Sequence, residues 1–250
     1  TVLLNRLLHL LYEGEPAYTI LVLVNDPAQR DIFLQVVQQS DVGAYADLKL
    51  MHYSQLAREM VLLFWPLVAT RAGFKSGFKP PTFLGYDLGQ LLMWRVVDPM
   101  LRSGAFADLR RRPQQIVSQL LDTLNRAALN NLDILEATQR QIDSWSGEPD
   151  HIRNIERAYD AADAFRKHCL ANNLLDLSLT IDTFNNHVLA HPEFARYFSE
   201  RFRHFIVDNI EEQTPAGQEF VAQLMGKTIS TTIAYDLSLI HISEPTRHES

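Results

Sequence analysis

Residues 202–218 read FRHFIVDNIEEQTPAGQ. The first half, Phe202 to Asp208, is a short apolar and β-branched run that ends on a carboxylate. Such a run reads as a strand buried on both faces, the kind found in parallel sheets covered by helices. The second half opens a helix near Thr214 and Pro215 that runs to about Leu224, with proline in the first turn. An apolar strand that ends in Asp at the carboxyl edge of a parallel sheet is where a nucleotide-binding fold places a carboxylate associated with Mg²⁺. The hard cation takes oxygen ligands, and a strand end holds the carboxylate rigidly beside the phosphates. The same pattern also arises where Asp simply opens a turn, so the strand by itself leaves both readings open.

Working outward, residues 18–24 (YTILVLV) form a second buried strand, bounded by Gly14 and Pro16 before it and by Asn25, Asp26 and Pro27 after it. A helix follows, capped by Asn25 or Asp26, with Pro27 in its first turn and an apolar stripe of Ile32, Phe33, Val36 and Val37. Residues 47–53 suggest a short strand, and Ser54 to Trp65 a helix ended by Pro66. Residues 2–12 read as a mostly buried helix, and residues 228–236 as a final strand. Between about 70 and 200 the texture changes. Residues 73–85 are a loop. Segments near 86–103, 111–129, 148–172 and 176–189 have helical periodicity, and no strand-like run interrupts them. The order is α-β-α-β, a helical block, then β-α-β. This predicts an α/β fold, a parallel sheet with crossover helices, carrying a large all-helical insertion. The expected division is 1–70 with 200–236 for the α/β part and 71–199 for the insertion.

Composition narrows the classes. The chain has 250 residues, 46% of them hydrophobic and 21% charged, enough for one large domain or two small ones. No apolar run reaches the roughly 20 residues that span a bilayer, so no membrane association is expected. Residues 1–15 are apolar but interrupted by Arg6, Glu13 and Glu15, with no small-residue cleavage site after them, which argues against a secretory signal. The single cysteine, Cys169, excludes an internal disulfide and a cysteine-based zinc site. It fits a reducing, cytoplasmic setting. A net charge of −7 means that any nucleic-acid contact comes from local basic spots. One such spot is residues 74–79, FKSGFK, where Lys75 and Lys79 alternate with aromatics. That composition suits stacking on bases with phosphate neutralisation; equally, the segment reads as a glycine-rich connector whose phenylalanines pack back. Arg110, Arg111 and Arg112 read as a phosphate grip or a solvated helix start. His187 and His191 have the i, i+4 spacing of metal ligands but no adjacent Glu, and read as surface histidines. Cys169 reads as structural. The sequence contains neither a GxSxG segment nor a glycine-rich phosphate loop.

Residues 206–218, IVDNIEEQTPAGQ, resemble the hhVDEhQDTxxxQ motif of UvrD/Rep-type superfamily 1 DNA helicases, one residue longer. Asp208 matches the metal-linked Asp, Asn209 stands where the family has Glu, Glu211 and Glu212 fall on the Gln-Asp pair, and Gln218 resembles the later Gln. Other segments match in the same order. Residues 1–11, TVLLNRLLHLL, resemble the helix that directly follows the family's GxxxxGK[ST] loop. Residues 20–33, ILVLVNDPAQRDIF, resemble the strand and helix where the family reads VTFTNKAAxEM. Residues 53–57, YSQLA, resemble its TFHSLA segment, 174–179, LLDLSL, its DFxDLL segment, and 233–236, IAYD, the start of VGDxxQSIY. The resemblance spans nearly all of residues 1–236. It implies a P-loop NTPase-like sheet, incomplete because its phosphate loop is missing, with the helical block as subdomain 1B and the sheet as subdomain 1A. It further implies an ATP-dependent DNA helicase or translocase that uses ATP and Mg²⁺. Its DNA would be single-stranded or carry a single-stranded end, and nuclease or repair-complex subunits would be its partners. The implied catalytic residues are Asp208, which also holds the metal, with Asn209, Glu211 and Glu212. Thr1, Gln218 and Asp236 fall on nucleotide contacts. Asn25, His52, Tyr53 and Ser54 fall on DNA contacts, to which the composition of the 74–79 loop adds Lys75 and Lys79; equally, Tyr53 reads as a core residue and His52 as a solvated strand end.

The departures carry their own expectations. Asn209 is an amide and cannot take a proton, so it cannot serve as the family's general base. Either Glu211 or Glu212 substitutes, or hydrolysis is slow or absent. The family's Thr-Phe-Thr-Asn run is eroded to Leu23, Val24, Asn25 and Asp26, which weakens the transfer of DNA contacts. No ATPase is expected from these 250 residues, which lack the lysine-bearing loop and the arginines of a second motor domain. A second reading is a helicase-like scaffold or nuclease-complex subunit that keeps the fold and has lost the motor. A third, a helical interaction module with no nucleotide site, is favoured if residues 19–24 and 203–208 are not adjacent parallel strands. The tail, residues 237–250, resembles the conceptual translation of a transposase-type sequencing adapter in its stretch 237–247, and is expected to be read-through; the alternative reading is a natural, disordered polar terminus.

Overall fold

The computed structural model describes residues 2–43, 47–109, 111–147 and 149–236. Thr1, Arg110 and the tail from residue 237 lie outside the described residues. In chain order the first elements are α1 (Val2–Tyr12), β1 (Ile20–Leu23), α2 (Pro27–Gln39), β2 (Lys49–Met51) and α3 (Tyr53–Val68). Then come β3 (Thr82–Phe83), α4 (Tyr86–Arg102), α5 (Pro113–Leu129), α6 (Ile134–Ser144), α7 (Pro149–Ala171), β4 (Leu174–Leu175) and α8 (Leu177–Thr183). Last are α9 (Pro192–Arg201), β5 (His204–Val207), α10 (Pro215–Leu224) and β6 (Ser230–Ile233). The chain divides into two compact units. One holds the residues up to Tyr53, Arg196–Gln213 and those from Gly217 on; the other holds Ser54–Ala195 with Thr214–Ala216. The helical unit thus begins at Ser54, earlier than the composition change near residue 70.

The first unit is α/β. Its four strands are all parallel, in the order β2-β1-β5-β6. Residues 19–24 and 203–208 are therefore neighbours, with Leu21 opposite Phe205 and Val22 opposite Ile206. This removes the observation that would have favoured a purely helical module. The central strands are the two apolar runs, buried at every position, whereas β6 at the edge is only half-buried. Alternate side chains serve opposite faces. Val22 and Ile206 face a core built from Leu7 and Leu10 of α1 and Phe33 and Val37 of α2. On the other face Phe205 meets Phe198 of α9 and Phe220 of α10, with ring centroids 5.8 and 6.0 Å apart.

Several local expectations change. α1 is one-sided, not buried all round: Leu3, Leu7, Leu10 and Leu11 are buried, while Val2 and Tyr12 face solvent. In α2 the inward residues are Phe33 and Val37, and Ile32 is exposed. Asp26, not Asn25, is its cap, accepting the Gln29 N–H at 2.9 Å. Pro66 does not end α3, which continues to Val68 with the proline on an exposed side.

In the second unit α5 is central. Ile116, Val117, Leu120, Leu121 and Leu124 are buried, and the helix packs against α4, α7 and α8. Its sequence had suggested no strands, yet β3 and β4 form a two-residue parallel pair. α6 is a further helix that the sequence reading does not include: none of its residues is fully buried, and its inward side, Ile134, Ala137, Thr138 and Ile142, is only half-buried. Asp176 caps α8, accepting from the Leu179 N–H and the Ser178 hydroxyl, both at 2.9 Å. α8 then widens into one π-helical turn, Phe184–Val188. That turn takes up His187, so His187 and His191 do not share a regular α-helical face. Cys169 is buried in α7.

Candidate functional site at the carboxyl edge of the sheet

Where β1 and β5 end, the backbone has left the ladder but remains stitched together. The Asp208 N–H donates to the Leu23 carbonyl at 2.9 Å, and Ala234 N–H to the Val207 carbonyl at 2.9 Å. Ile210 N–H then reaches across to the Ala234 carbonyl at 3.0 Å. Three strand ends thus converge on the turn that carries Asp208 to Glu212. Asn209 sits in this turn with φ 42° and ψ 68°, in the left-handed region that asparagine tolerates and most other side chains resist. This is a backbone reason for asparagine at position 209.

Asn25, two residues beyond the end of β1 at Leu23, is the crossbar of the site. Its Nδ2 lies 3.2 Å from the Asp208 carbonyl, 2.9 Å from the Asn209 carbonyl and 3.2 Å from Glu212 Oε2. Its own N–H donates to Gln29 Oε1 at 2.9 Å, and Gln29 Nε2 approaches the same Glu212 oxygen at 3.4 Å. Gln29 was missed from the sequence. The signal was the Asp26-x-x-Gln29 spacing of a capping box, here turned so that the glutamine serves Asn25.

The electrostatics are those of a site short of positive charge. Burial raises the Asp208 carboxyl above the ordinary carboxylate range, and the neighbouring carboxylates of Glu212, Glu211 and Asp26 add to this against the Asn209 backbone N–H. Both carboxylate oxygens of Glu211 and Oδ1 of Asn25 are shielded from solvent and have no hydrogen-bond partner. Unpaired shielded acceptors are costly, and a hard cation or a donor-rich ligand is what would satisfy them. Among the described residues no three His, Cys, Asp or Glu side chains converge as a complete metal cage. Mg²⁺ needs no such cage, since it is commonly held by one or two carboxylates together with phosphates. The donor set here fits that mode.

Of the other expected site residues, Gln218 is exposed and donates to the Ile210 carbonyl at 3.1 Å, bracing the Asp208–Glu212 turn from α10. Asp236 is exposed just past β6. His52 is half-buried at the end of β2. Tyr53 is 4% exposed, with its ring 5.7 Å from Phe220, so the ring is spent on the core and cannot stack on a base. Asn25 likewise spends its amide nitrogen internally. Ser54, Lys75 and Lys79 belong to the helical unit. No helix among the described residues is long and apolar enough to cross a membrane. No protein-family model and no curated protein matches the chain.

Proposed function

We propose that this chain is part of an ATP-dependent, DNA-acting motor of the UvrD/Rep type, with its nucleotide and Mg²⁺ at the carboxyl edge of a P-loop NTPase-like sheet. The observation that carries the reading is the convergence at that edge. Asp208 ends a central parallel strand, next to shielded, unpartnered acceptors on Asn25 and Glu211. Open α/β sheets bind ligands at the carboxyl ends of their strands, and a partly buried carboxylate there, set among other carboxylates, calls for a cation. Asp208 would hold the Mg²⁺, which supplies electrostatic stabilisation of phosphate charge. Asn25 and Gln218 fix the turn that carries it. Asn209 cannot act as a base, and Glu212 is occupied by Asn25 and Gln29. Glu211 is the carboxylate with both acceptors unspent, and is the base we assign if hydrolysis survives.

A second reading is favoured by Asn209 itself: a helicase-like scaffold or nuclease-complex subunit that binds nucleotide with little turnover. Three tests follow, of which the last separates the two readings. The coding sequence flanking the present chain is expected to supply a GxxxxGK[ST] loop shortly before Thr1, and its absence refutes the family assignment. Purified as these 250 residues, the chain is expected to hydrolyse no ATP. In the parent protein, brisk turnover unaffected by Glu211→Gln and Glu212→Gln refutes the idea that either carboxylate compensates for Asn209.

A further inference from the structure

The loop at residues 74–79 holds two phenylalanines with opposite fates. Phe74 is 3% exposed, and its ring lies 4.7 Å from Trp65. Phe78, four residues on, is 102% exposed, as bare as a side chain can be. An isolated exposed apolar residue on a floppy loop means little, but this loop is tied down on both sides of Phe78. Asn173 is itself buried, and its amide receives the Ser76 N–H at 3.3 Å while donating to the Ser76 carbonyl at 2.8 Å and the Lys79 carbonyl at 3.1 Å. Trp65 Nε1 donates to the same Lys79 carbonyl at 2.8 Å. The Lys75 N–H is fixed to the Leu170 carbonyl at 3.2 Å, and the Phe78 N–H to the Ser76 hydroxyl at 3.2 Å. Gly77 fits under this strap because a Cβ there would lie 3.3 Å from the Pro66 carbonyl. The backbone is therefore ordered before anything binds, and the ring is held out from it. Lys75 and Lys79 flank the ring, both exposed, and neither is paired with a carboxylate among the described residues.

We propose that this tip is a stacking site for single-stranded nucleic acid: Phe78 takes a base against its ring, and Lys75 and Lys79 neutralise phosphates on either side of it. Aromatic stacking accepts any base because every base has a π-face, and an ordered groove or tip with lysines tracks the backbone. The acidic balance of the whole chain makes such a local spot the place where a polyanion gains attraction. The site rests on the nucleic-acid part of the function proposed above and is independent of its nucleotide part.

The test is fluorescence anisotropy of a labelled oligothymidylate of about 15 nucleotides with the full 250-residue chain. Phe78→Ala is expected to weaken binding about tenfold, while Phe78→Trp retains it. Lys75→Ala with Lys79→Ala is expected to weaken binding and to lower the slope of log affinity against log salt by roughly 1.4. A 5-iododeoxyuridine oligonucleotide is expected to crosslink at Phe78. Because the Phe78 ring is fully exposed, its removal is expected to leave the fold intact, which circular dichroism checks. Binding that Phe78→Ala leaves unchanged overturns the site while leaving the nucleic-acid reading in place. No binding by the wild-type chain overturns the site, and the nucleotide reading is then judged separately by Mg·ATP binding. Phe78-dependent binding to phosphatidylserine vesicles with none to the oligonucleotide also overturns it, in favour of a lipid surface.

Discussion

Asn25→Ala removes the crossbar between the ends of β1 and β5, and its cost can be worked from the geometry. Nδ2 has two protons for three acceptors, at 2.9, 3.2 and 3.2 Å, so it makes about two bonds' worth of interaction. A neutral bond to a strand-end carbonyl contributes about 1 kcal/mol net. The bond to Glu212 is charge-assisted but the carboxylate is exposed, which brings it down to about 1 kcal/mol as well. The sum, about 2 kcal/mol, corresponds to roughly a 30-fold change in an opening equilibrium. The three tryptophans, Trp65, Trp94 and Trp145, all lie in the helical unit, so fluorescence is blind to this event. Native-state amide hydrogen exchange at Leu21–Leu23 and Phe205–Asp208 reads it directly. Asn25→Ala is expected to speed exchange there by roughly 30-fold, with little change in α5. Asn25→Asp sets another carboxylate among Asp26, Asp208, Glu211 and Glu212, and is expected to be worse at neutral pH and to recover part of its loss in acid. Exchange in both strands within about twofold of wild type after Asn25→Ala refutes the reasoning, since it means that the ladder alone holds the strand ends.

Asp208→Asn is expected to stabilise the sheet unit at neutral pH. The folded-state carboxyl is raised above 3.8, so the folded state holds the proton more tightly than the unfolded chain. Ionised Asp208 therefore costs stability: the cost is absent below 3.8 and grows as pH rises through the folded value. The gain from Asp208→Asn should vanish in acid, and a gain that persists there refutes the electrostatic account. Cys169, pushed up to about 12 mainly by burial, is expected to resist alkylation at pH near 8 in the native chain and to react promptly in urea; rapid native labelling contradicts its burial.

The sheet was legible because its central strands obey a simple rule. Residues 20–23 and 204–207 lie between helical layers, so nearly every position is apolar, and the run announces itself. The half-buried elements were not. α6 buries no residue fully, and β3 and β4 are two residues each, too short for any periodicity to register. Pro66 looked like a stop because its ring excludes one hydrogen bond, yet the packing of α3 carries the helix past it. At the site the sequence supplied Asp208, but the role of Asn25 depends on which strand lies beside which. The left-handed turn at Asn209 depends on how three strand ends are tied. In the 74–79 loop the two phenylalanines have the same local context of glycine and lysine. Distant residues, Asn173, Trp65 and Leu170, tie the loop so that one ring is buried and the other held out.

The measurement closest to the central claim is equilibrium binding of Mg·ATP by the parent protein that carries the flanking sequence, wild type against Asp208→Asn. Binding is expected to be at least about tenfold weaker for the variant in Mg²⁺, a loss of about 1.4 kcal/mol or more, with no difference in EDTA. The same substitution should leave the protein more stable, so the loss cannot be assigned to unfolding. Equal Mg·ATP affinity for the two proteins would contradict the assignment of Asp208 to the cation, and with it the nucleotide site at this edge of the sheet.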